Sequence, residues 1–255
     1  MRISISDLAY AGFRYNDFCK LDKAYGLEFF YEFGTRAYWD TVLPLMTAGR
    51  QNGISMHGPC VQVNLAQEDP DRKYLNVFLD AFTYAKQIGA EFVVVHTNEA
   101  LPKDLDVLDL QQRVRDKLQV LLALSENVGV QMVIENVGLR PKQSLLFDRE
   151  AFLELPQRFP TAKFLLDTGH AHVNGWDLAD TVRALGKRLM GCHVHDNDGQ
   201  GDQHLYIGAG TIKWEPFFEA LLETNPDVRL VLEYAKLPCE GMDAHVAGLC
   251  KRFGL

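Results

Sequence analysis

The sequence predicts a single (β/α)8 barrel, an α/β fold in which eight parallel strands are each followed by a helix. Short apolar runs alternate with longer segments of helical periodicity, and the alternation continues along the chain without a Gly/Ser linker or a break in composition. The length of 255 residues matches the about 250 residues that such a barrel typically needs. We therefore expect one barrel domain over residues 1–255.

The expected strands are rich in Val, Ile, Leu and Phe, which is typical of strands buried on both faces. They are residues 2–5, 27–32, 54–57, 91–96, 130–135, 162–167, 189–194 and 229–233. The expected helices are 17–25, 39–52, 71–89, 107–127, 149–158, 177–186, 214–224 and 240–252. Gly89 and Gly129 stand where helices end, whereas Asp148 and the pair Asp69-Pro70 have residue types that begin helices.

Composition narrows the class of protein. The chain is 47% hydrophobic and 24% charged, which is ordinary for a soluble globular protein. It contains no run of about 20 apolar residues, and its first ten residues do not resemble a signal peptide. The five cysteines are scattered without CxxC pairs, as in reduced cytoplasmic proteins. We therefore expect a cytoplasmic protein that has no membrane partner. Neither GxGxxG nor GxxxxGK[ST] occurs, so no nucleotide-binding loop is expected.

Six of the apolar runs end on a residue type that binds metal ions. These residues are His57, His96, Glu135, Asp167, His193 and Glu233. The carboxyl ends of all strands meet at one face of a barrel, and active sites of such barrels lie there. Burying an imidazole or a carboxylate without a partner is unfavourable, so the repeated pattern indicates one shared site. Imidazole and carboxylate ligands without thiolate suit Zn, Mn, Mg or Co.

Three further candidates lie in the loops after the strands: His170, Asp202 and His204. In an extended segment, residues two apart point the same way, so an extended Asp202–His204 pair would face one ion. We therefore expect at least one metal ion, and the nine side chains together supply enough ligands for up to three.

Four segments carry a family resemblance: LLDTGHAHVNGWD, HVHDNDGQGDQHLYIGAGTIKW, VIEN and VLEY. With them, the chain resembles the xylose-isomerase-like TIM barrel superfamily, which includes sugar and sugar-phosphate isomerases and epimerases, inosose dehydratase and endonuclease IV. The resemblance implies that the metal of the epimerases is held by Glu135, Asp167, His193 and Glu233. Resemblance to endonuclease IV implies instead a trinuclear zinc site. In that site the same four residues are joined by His57, His96, His170, Asp202 and His204.

The motif HDNDG…DxHLxxGxG is more similar to the sugar-phosphate isomerase/epimerase branch of the superfamily, where a DxH pair is also frequent. We therefore expect a divalent-metal-dependent isomerase or epimerase, or a related dehydratase, acting on a small sugar, sugar phosphate or cyclitol through an enediolate. The resemblance implies that Glu135 and Glu233 are the catalytic residues that exchange the proton. An endonuclease IV-like hydrolase of abasic-site DNA and a non-catalytic metal protein are the alternatives.

The remaining predictions concern binding. His57, His96 and His170 are expected either to contact the substrate or to hold further metal ions. His195, on the strand of His193, and Arg14, in the first loop, are expected to contact the substrate. The net charge of −8 argues against a large nucleic-acid footprint, which needs a basic face, but bound metal ions would add positive charge and leave that alternative open. The expected partner is a small carbohydrate substrate. Association into a homo-oligomer is left open.

Overall fold

Eight parallel strands close into a barrel in sequence order, and the last strand pairs with the first. The structure, a computed structural model, describes residues 1–103, 105–236 and 239–255, without the side chain of Cys239. The strands are β1 (Arg2–Ser6), β2 (Gly26–Phe30), β3 (Ile54–His57), β4 (Val93–His96), β5 (Met132–Glu135), β6 (Lys163–Asp167), β7 (Leu189–Val194) and β8 (Arg229–Leu232). The predicted (β/α)8 barrel is therefore confirmed.

The helices surround the barrel. They are α1 (Tyr15–Phe18), α2 (Arg36–Thr47), α3 (Lys73–Ile88), α4 (Val107–Val128), α5 (Arg149–Arg158), α6 (Thr168–Val173), α7 (Leu178–Leu185), α8 (Trp214–Thr224) and α9 (Cys239–Phe253). Gly89 and Gly129 end α3 and α4 in the left-handed conformation, as predicted, with φ of 69° and 80°. Asp148 caps α5 by accepting a hydrogen bond from the Ala151 amide. Among the helices in the described part of the chain, none is long and apolar enough to cross a membrane.

Two helix predictions were wrong. The helix expected over 17–25 is only the four-residue α1, because the backbone carbonyls beyond it bond to a side chain instead. The guanidinium of Arg50 donates to Phe18 O at 2.9 Å and to Asp22 O at 2.7 Å. Conversely, α6 was not expected, because its sequence is too short and too polar to show helical periodicity. It begins directly after β6, where the Asp167 side chain accepts a hydrogen bond from the His170 amide.

The inward-facing residues separate into two layers. Phe92, Val94, Val133 and Leu165 form an apolar cluster inside the barrel, apart from the larger core that lies between strands and helices. Because side chains alternate along a strand, the residues two positions further along also face inward. Those residues on β4, β5 and β6 are His96, Glu135 and Asp167. The barrel thus has an apolar interior beneath a polar face at the strand carboxyl ends.

Arg229 fills the opposite end of the barrel. Its side chain is fully buried, donates to Ser4 Oγ and to Asn52 O, and lies 2.5 Å from Glu91 Oε1. Arg2 bonds to the same carboxylate at 2.7 Å. A Cβ atom at Gly26 would lie 2.6 Å from Arg229 Nη1, so only glycine leaves room for the guanidinium. The buried cation therefore depends on Glu91 for its compensating charge.

Replacing Glu91 by Ala is expected to lower the free energy of unfolding by about 2–3 kcal/mol, because Arg229 would keep a buried, uncompensated charge. The effect should fall at the lower end of the range for buried pairs, since the Glu91 side chain is 29% exposed. Urea unfolding measures this change. Arg183→Ala, which removes the exposed pair with Glu223, is the control and should change stability little. Equal stability of the two variants would contradict the role of Glu91 as the compensating charge of Arg229.

Candidate metal centre

The central set of ligand atoms surrounds one nitrogen of His193. Its Nδ1 atom lies 3.4 Å from Glu135 Oε1, 3.6 Å from Glu233 Oε2 and 3.8 Å from Asp167 Oδ2. All four side chains are buried, and Nδ1 has no hydrogen-bond partner within the described residues. Ligands about 2.1 Å from one ion lie roughly 3.0–3.4 Å apart in octahedral or tetrahedral geometry. The four atoms therefore fit a divalent ion after a small contraction.

A second set shares Glu135 with the first. The Nε2 atom of His96 lies 3.0 Å from Glu135 Oε2 and 3.1 Å from His57 Nε2. His57 Nε2 is 3.9 Å from the same carboxylate oxygen. Thus Oε1 of Glu135 faces the central set and Oε2 faces the second set, so this carboxylate could bridge two ions.

A third set forms around Asp202. Its Oδ2 atom lies 3.2 Å from His204 Nε2 and 3.4 Å from His170 Nε2. The expectation of an extended Asp202–His204 segment was wrong, because His204 has a left-handed backbone with φ of 47°. The two side chains nevertheless meet, and α6 brings His170 to them from the other side.

Each of five imidazoles meets an oxygen acceptor on the ring nitrogen that faces away from its ligand set. The pairs are His57 Nδ1 with Gly58 O, His96 Nδ1 with Glu99, His170 Nδ1 with Asn136 O, His193 Nε2 with Glu28, and His204 Nδ1 with Glu233 O, at 2.6–3.0 Å. A carbonyl or carboxylate oxygen can only accept, so the distal nitrogen carries the hydrogen. Metal-binding histidines are usually held in this way, with the other nitrogen directed at the ion.

The two glutamates of the central set differ electrostatically. Although burial opposes ionisation, the imidazoles of His96 and His193 hold the pKa of Glu135 well below its usual value. Burial raises the pKa of Glu233 instead. At His96, burial alone would lower the pKa, but the neighbouring carboxylates of Glu135 and Glu99 raise it to about 10. Without a metal ion, protons on imidazole thus compensate the buried carboxylates, and a divalent cation could take their place.

The two remaining predicted substrate contacts differ in their relation to the ligand sets. His195 is fully buried beside them: its Nε2 atom lies 3.0 Å from Asp167 Oδ2 and 3.8 Å from Asp202 Oδ1, and its ring stacks on His204. With His204 and Glu233 it forms a group that could itself hold an ion. A Cβ atom at Gly169 would lie 2.0 Å from the His195 ring, so the chain needs glycine there. Arg14 is exposed and bonds to Asp17 and to Ala9 O. A substrate role for either residue stays a prediction.

A cavity of about 280 Å³ opens above the ligand sets. Its walls include apolar side chains, among them Leu8, Phe30 and Leu139, and one lysine, Lys142. The ring of Phe30 stacks on His57 at 4.0 Å. This volume is at the small end for ligand pockets, so the cavity suits a small molecule with both polar and apolar faces.

Sequence reasoning missed two carboxylates beside the site. Glu28 lies inside β2, and its only sequence signal is a single charge within the apolar run GLEFF. Asp7 follows β1 directly and is buried, and its Oδ1 atom accepts a hydrogen bond from the Phe30 amide at 3.0 Å. Burial raises the pKa of Asp7 well above its usual value, and the nearby Glu28 and Glu233 add to this effect.

Comparison with known proteins identifies the relatives. The sequence pattern of the family described as "Xylose isomerase-like TIM barrel" matches residues 29–248. An uncharacterised protein of Methanocaldococcus jannaschii is 27% identical over 173 residues, which are 67% of this chain and 66% of that protein. A probable endonuclease 4 of Mycoplasmoides gallisepticum is 27% identical over 184 residues, 63% of this chain and 57% of that protein. The matches thus cover less than two thirds of these relatives' lengths.

Solved structures share the fold over almost the whole chain. The IOLI protein, whose structure has a bound zinc atom, superposes with a TM-score of 0.80 at 17% identity, over 99% of each chain. A D-psicose 3-epimerase from Clostridium cellulolyticum H10, solved with D-tagatose, superposes with a TM-score of 0.76 at 17% identity, also over 99% of each chain. At these identities the likeness concerns the fold.

His204→Ala is expected to lower the number of bound divalent ions by one and to leave an ion at His193 in place, because the Nε2 atom of His204 faces Asp202 and His204 contacts the central set only at Glu233. Inductively coupled plasma mass spectrometry of the dialysed protein measures this number. The control is His172→Ala, since His172 bonds to Thr211 outside the ligand sets. An unchanged number of ions in His204→Ala would instead assign His204 to substrate contact.

Asp7→Asn is expected to stabilise the protein at pH 8 by at least about 1 kcal/mol. The asparagine keeps an acceptor for the Phe30 amide and removes a buried negative charge. The folded-state pKa of Asp7 is raised, so the natural protein loses stability as pH rises from the unfolded to the folded pKa. The advantage of the variant should therefore disappear at low pH. Urea unfolding of the chelator-treated protein across pH tests this, and a constant difference would contradict it.

Proposed function

The chain belongs to the xylose isomerase-like TIM barrel family, and we propose that it is a divalent-metal-dependent isomerase or epimerase of a small sugar, sugar phosphate or cyclitol. The supporting observation is the central set of three carboxylates around His193 Nδ1, buried beneath a cavity of about 280 Å³. Solved structures that share the fold include one with bound zinc and one of an epimerase with D-tagatose, which supports both parts of the proposal.

The ligands proposed for the ion are Glu135, Asp167, His193 and Glu233. A bound divalent ion would supply Lewis-acid polarisation of a ketone oxygen and its neighbouring hydroxyl. One of the two glutamates removes the proton from the carbon that bears this hydroxyl, and the electron pair of that C–H bond forms the C=C bond while the carbonyl electrons move onto the ketone oxygen, which gives an enediolate. The other glutamate returns a proton to carbon from the opposite face, which inverts its configuration.

The electrostatics of the two glutamates support a division of roles. In the absence of a metal ion, the imidazoles of His96 and His193 hold the pKa of Glu135 low, whereas burial raises the pKa of Glu233. The two carboxyl groups thus have different environments, which suits separate duties as acid and base. The dehydratase variant of this chemistry begins with the same proton removal. The enediolate then expels the hydroxyl of the next carbon as water, with a proton from the second glutamate, instead of receiving that proton on carbon.

A second function is favoured by one observation. The second and third sets add His57, His96, His170, Asp202 and His204 to the four residues of the central set, which gives all nine ligands that the resemblance to endonuclease IV implies. A probable endonuclease 4 is among the relatives. Three ions would make the site net positive, which suits a phosphodiester. Against this, the chain carries a net charge of −8, and Lys142 is the one lysine or arginine among the described residues that line the cavity. DNA binding needs a wide basic surface, so the sugar reaction is preferred.

Glu135→Gln and Glu233→Gln are each expected to abolish exchange of a substrate carbon-bound proton with deuterated water. The amide keeps the shape and an oxygen ligand but cannot carry the proton at neutral pH. The assay is deuterium incorporation, measured by mass spectrometry across a panel of ketoses, ketose phosphates and cyclitol ketones. Glu150→Gln, on the exposed surface of α5, is the matched control and should exchange normally.

Exchange is specific to carbon acids, so the same panel separates the two functions. A phosphodiester hydrolase would cleave abasic-site DNA and would exchange no proton on carbon. Cleavage of abasic DNA by the unmodified protein, together with no exchange on any member of the panel, would overturn the proposal.

A further inference from the structure

Glu28 is a buried carboxylate that the proposed reaction does not use. It lies within β2, its side chain is 0% exposed, and it faces the barrel interior beneath the ligand sets. Its Oε1 atom lies 2.6 Å from His193 Nε2, and its Oε2 atom accepts a hydrogen bond from Ser55 Oγ at 2.7 Å. Within the described residues, no lysine or arginine forms an ion pair with it. A carboxylate so deeply buried is stable only through such partners.

The position of the hydrogen on His193 follows from these contacts. A carboxylate accepts hydrogen bonds, so Nε2 of His193 carries the hydrogen that Glu28 receives. The opposite nitrogen, Nδ1, faces Glu135, Asp167 and Glu233 at 3.4–3.8 Å. If the hydrogen were on Nδ1, it would point at these carboxylates and occupy the place of a metal ion. Glu28 is the group that draws the hydrogen to the other side of the ring.

We propose that Glu28 is the positioning residue of the central metal set, and that its charge sets how tightly the protein holds its first divalent ion. Ser55 orients the Glu28 carboxylate, Glu28 fixes the tautomer and ring orientation of His193, and His193 presents Nδ1 to the ion. Removing such a partner typically weakens metal binding by about 10–100-fold. This role holds whichever reaction the site catalyses, because it concerns only the ligand.

Glu99 provides an internal comparison. Its carboxylate bonds to His96 Nδ1 at 2.6 Å, the same distance as in the Glu28–His193 pair. The Glu99 side chain, however, is 41% exposed, so water competes for this hydrogen bond. His96 also belongs to the second set and not to the central one. Loss of the Glu99 charge should therefore leave the affinity of the central ion unchanged.

The test is Glu28→Gln, compared with Glu99→Gln. Glutamine can accept from His193 Nε2 through its amide oxygen and donate to Ser55 Oγ through its amide nitrogen, so shape and contacts persist while the charge is lost. The dissociation constant of the tightest-bound Zn²⁺ is measured by competition with a chelator, and the ligand field by the absorption spectrum of the Co²⁺-loaded protein. We expect Glu28→Gln to raise the dissociation constant about 10–100-fold and to shift the Co²⁺ spectrum, and Glu99→Gln to change neither.

An unchanged dissociation constant and spectrum in Glu28→Gln would overturn the proposal, as would equal weakening in both variants, which would indicate a general effect of charge. If Glu28→Gln does not fold, Glu28→Met takes its place, because methionine fills a similar volume and also removes the charge. Unchanged Zn²⁺ affinity in folded Glu28→Met would then contradict the role of Glu28. No substrate enters these measurements, so their outcome is independent of the exchange assay.

Discussion

Repulsion among buried carboxylates is the constraint on which the rest of the site depends. Glu135, Asp167 and Glu233 come together around one nitrogen of His193, where water cannot screen their charges. Such a group is stable only if positive charge lies among the carboxylates, as imidazole protons or as a divalent ion. The barrel imposes this closeness because all its strands end at one face. The surrounding histidines, each held by an acceptor behind it, are arranged to satisfy that need.

Different residues support the barrel and form the ligand sets. The apolar cluster inside the barrel lies directly beneath the ligand sets, where Val94 pairs with His57 and Leu165 with Glu135. The Arg229 cluster supports the other end of the barrel. The solved structures that share this barrel at low identity include one described as a sugar epimerase and one described as an AP endonuclease. The fold alone therefore does not decide the reaction. The proposal of a carbohydrate substrate depends on the cavity beside the ligand sets, which is small and which, among the described residues, is lined by one lysine, Lys142, and no arginine.

The barrel and most of the candidate site could be predicted because the same pattern, an apolar run that ends on a polar residue, is repeated along the sequence. Strand ends such as His96, Glu135 and Asp167 were readable because each closes an apolar run, and period-two alternation then places them inside the barrel. Glu28 was not readable, because a single charge within a strand does not reveal its distant partner His193, which only the closed barrel brings near. The loss of the helix over 17–25 likewise depends on Arg50, a residue far along the chain that bonds to its carbonyl groups.

The position of the Glu135 carboxylate between two ligand sets has a thermodynamic consequence. One of its oxygen atoms faces the central set and the other faces His96. Two ions held by one carboxylate share its electron density, so the first to arrive changes the charge that the second encounters. Their affinities are then thermodynamically linked, and the coupling free energy is the same whichever ion binds first. Occupancy of both sets would therefore make the metal content of the protein cooperative, so that it would respond to the supply of one ion through the occupancy of the other.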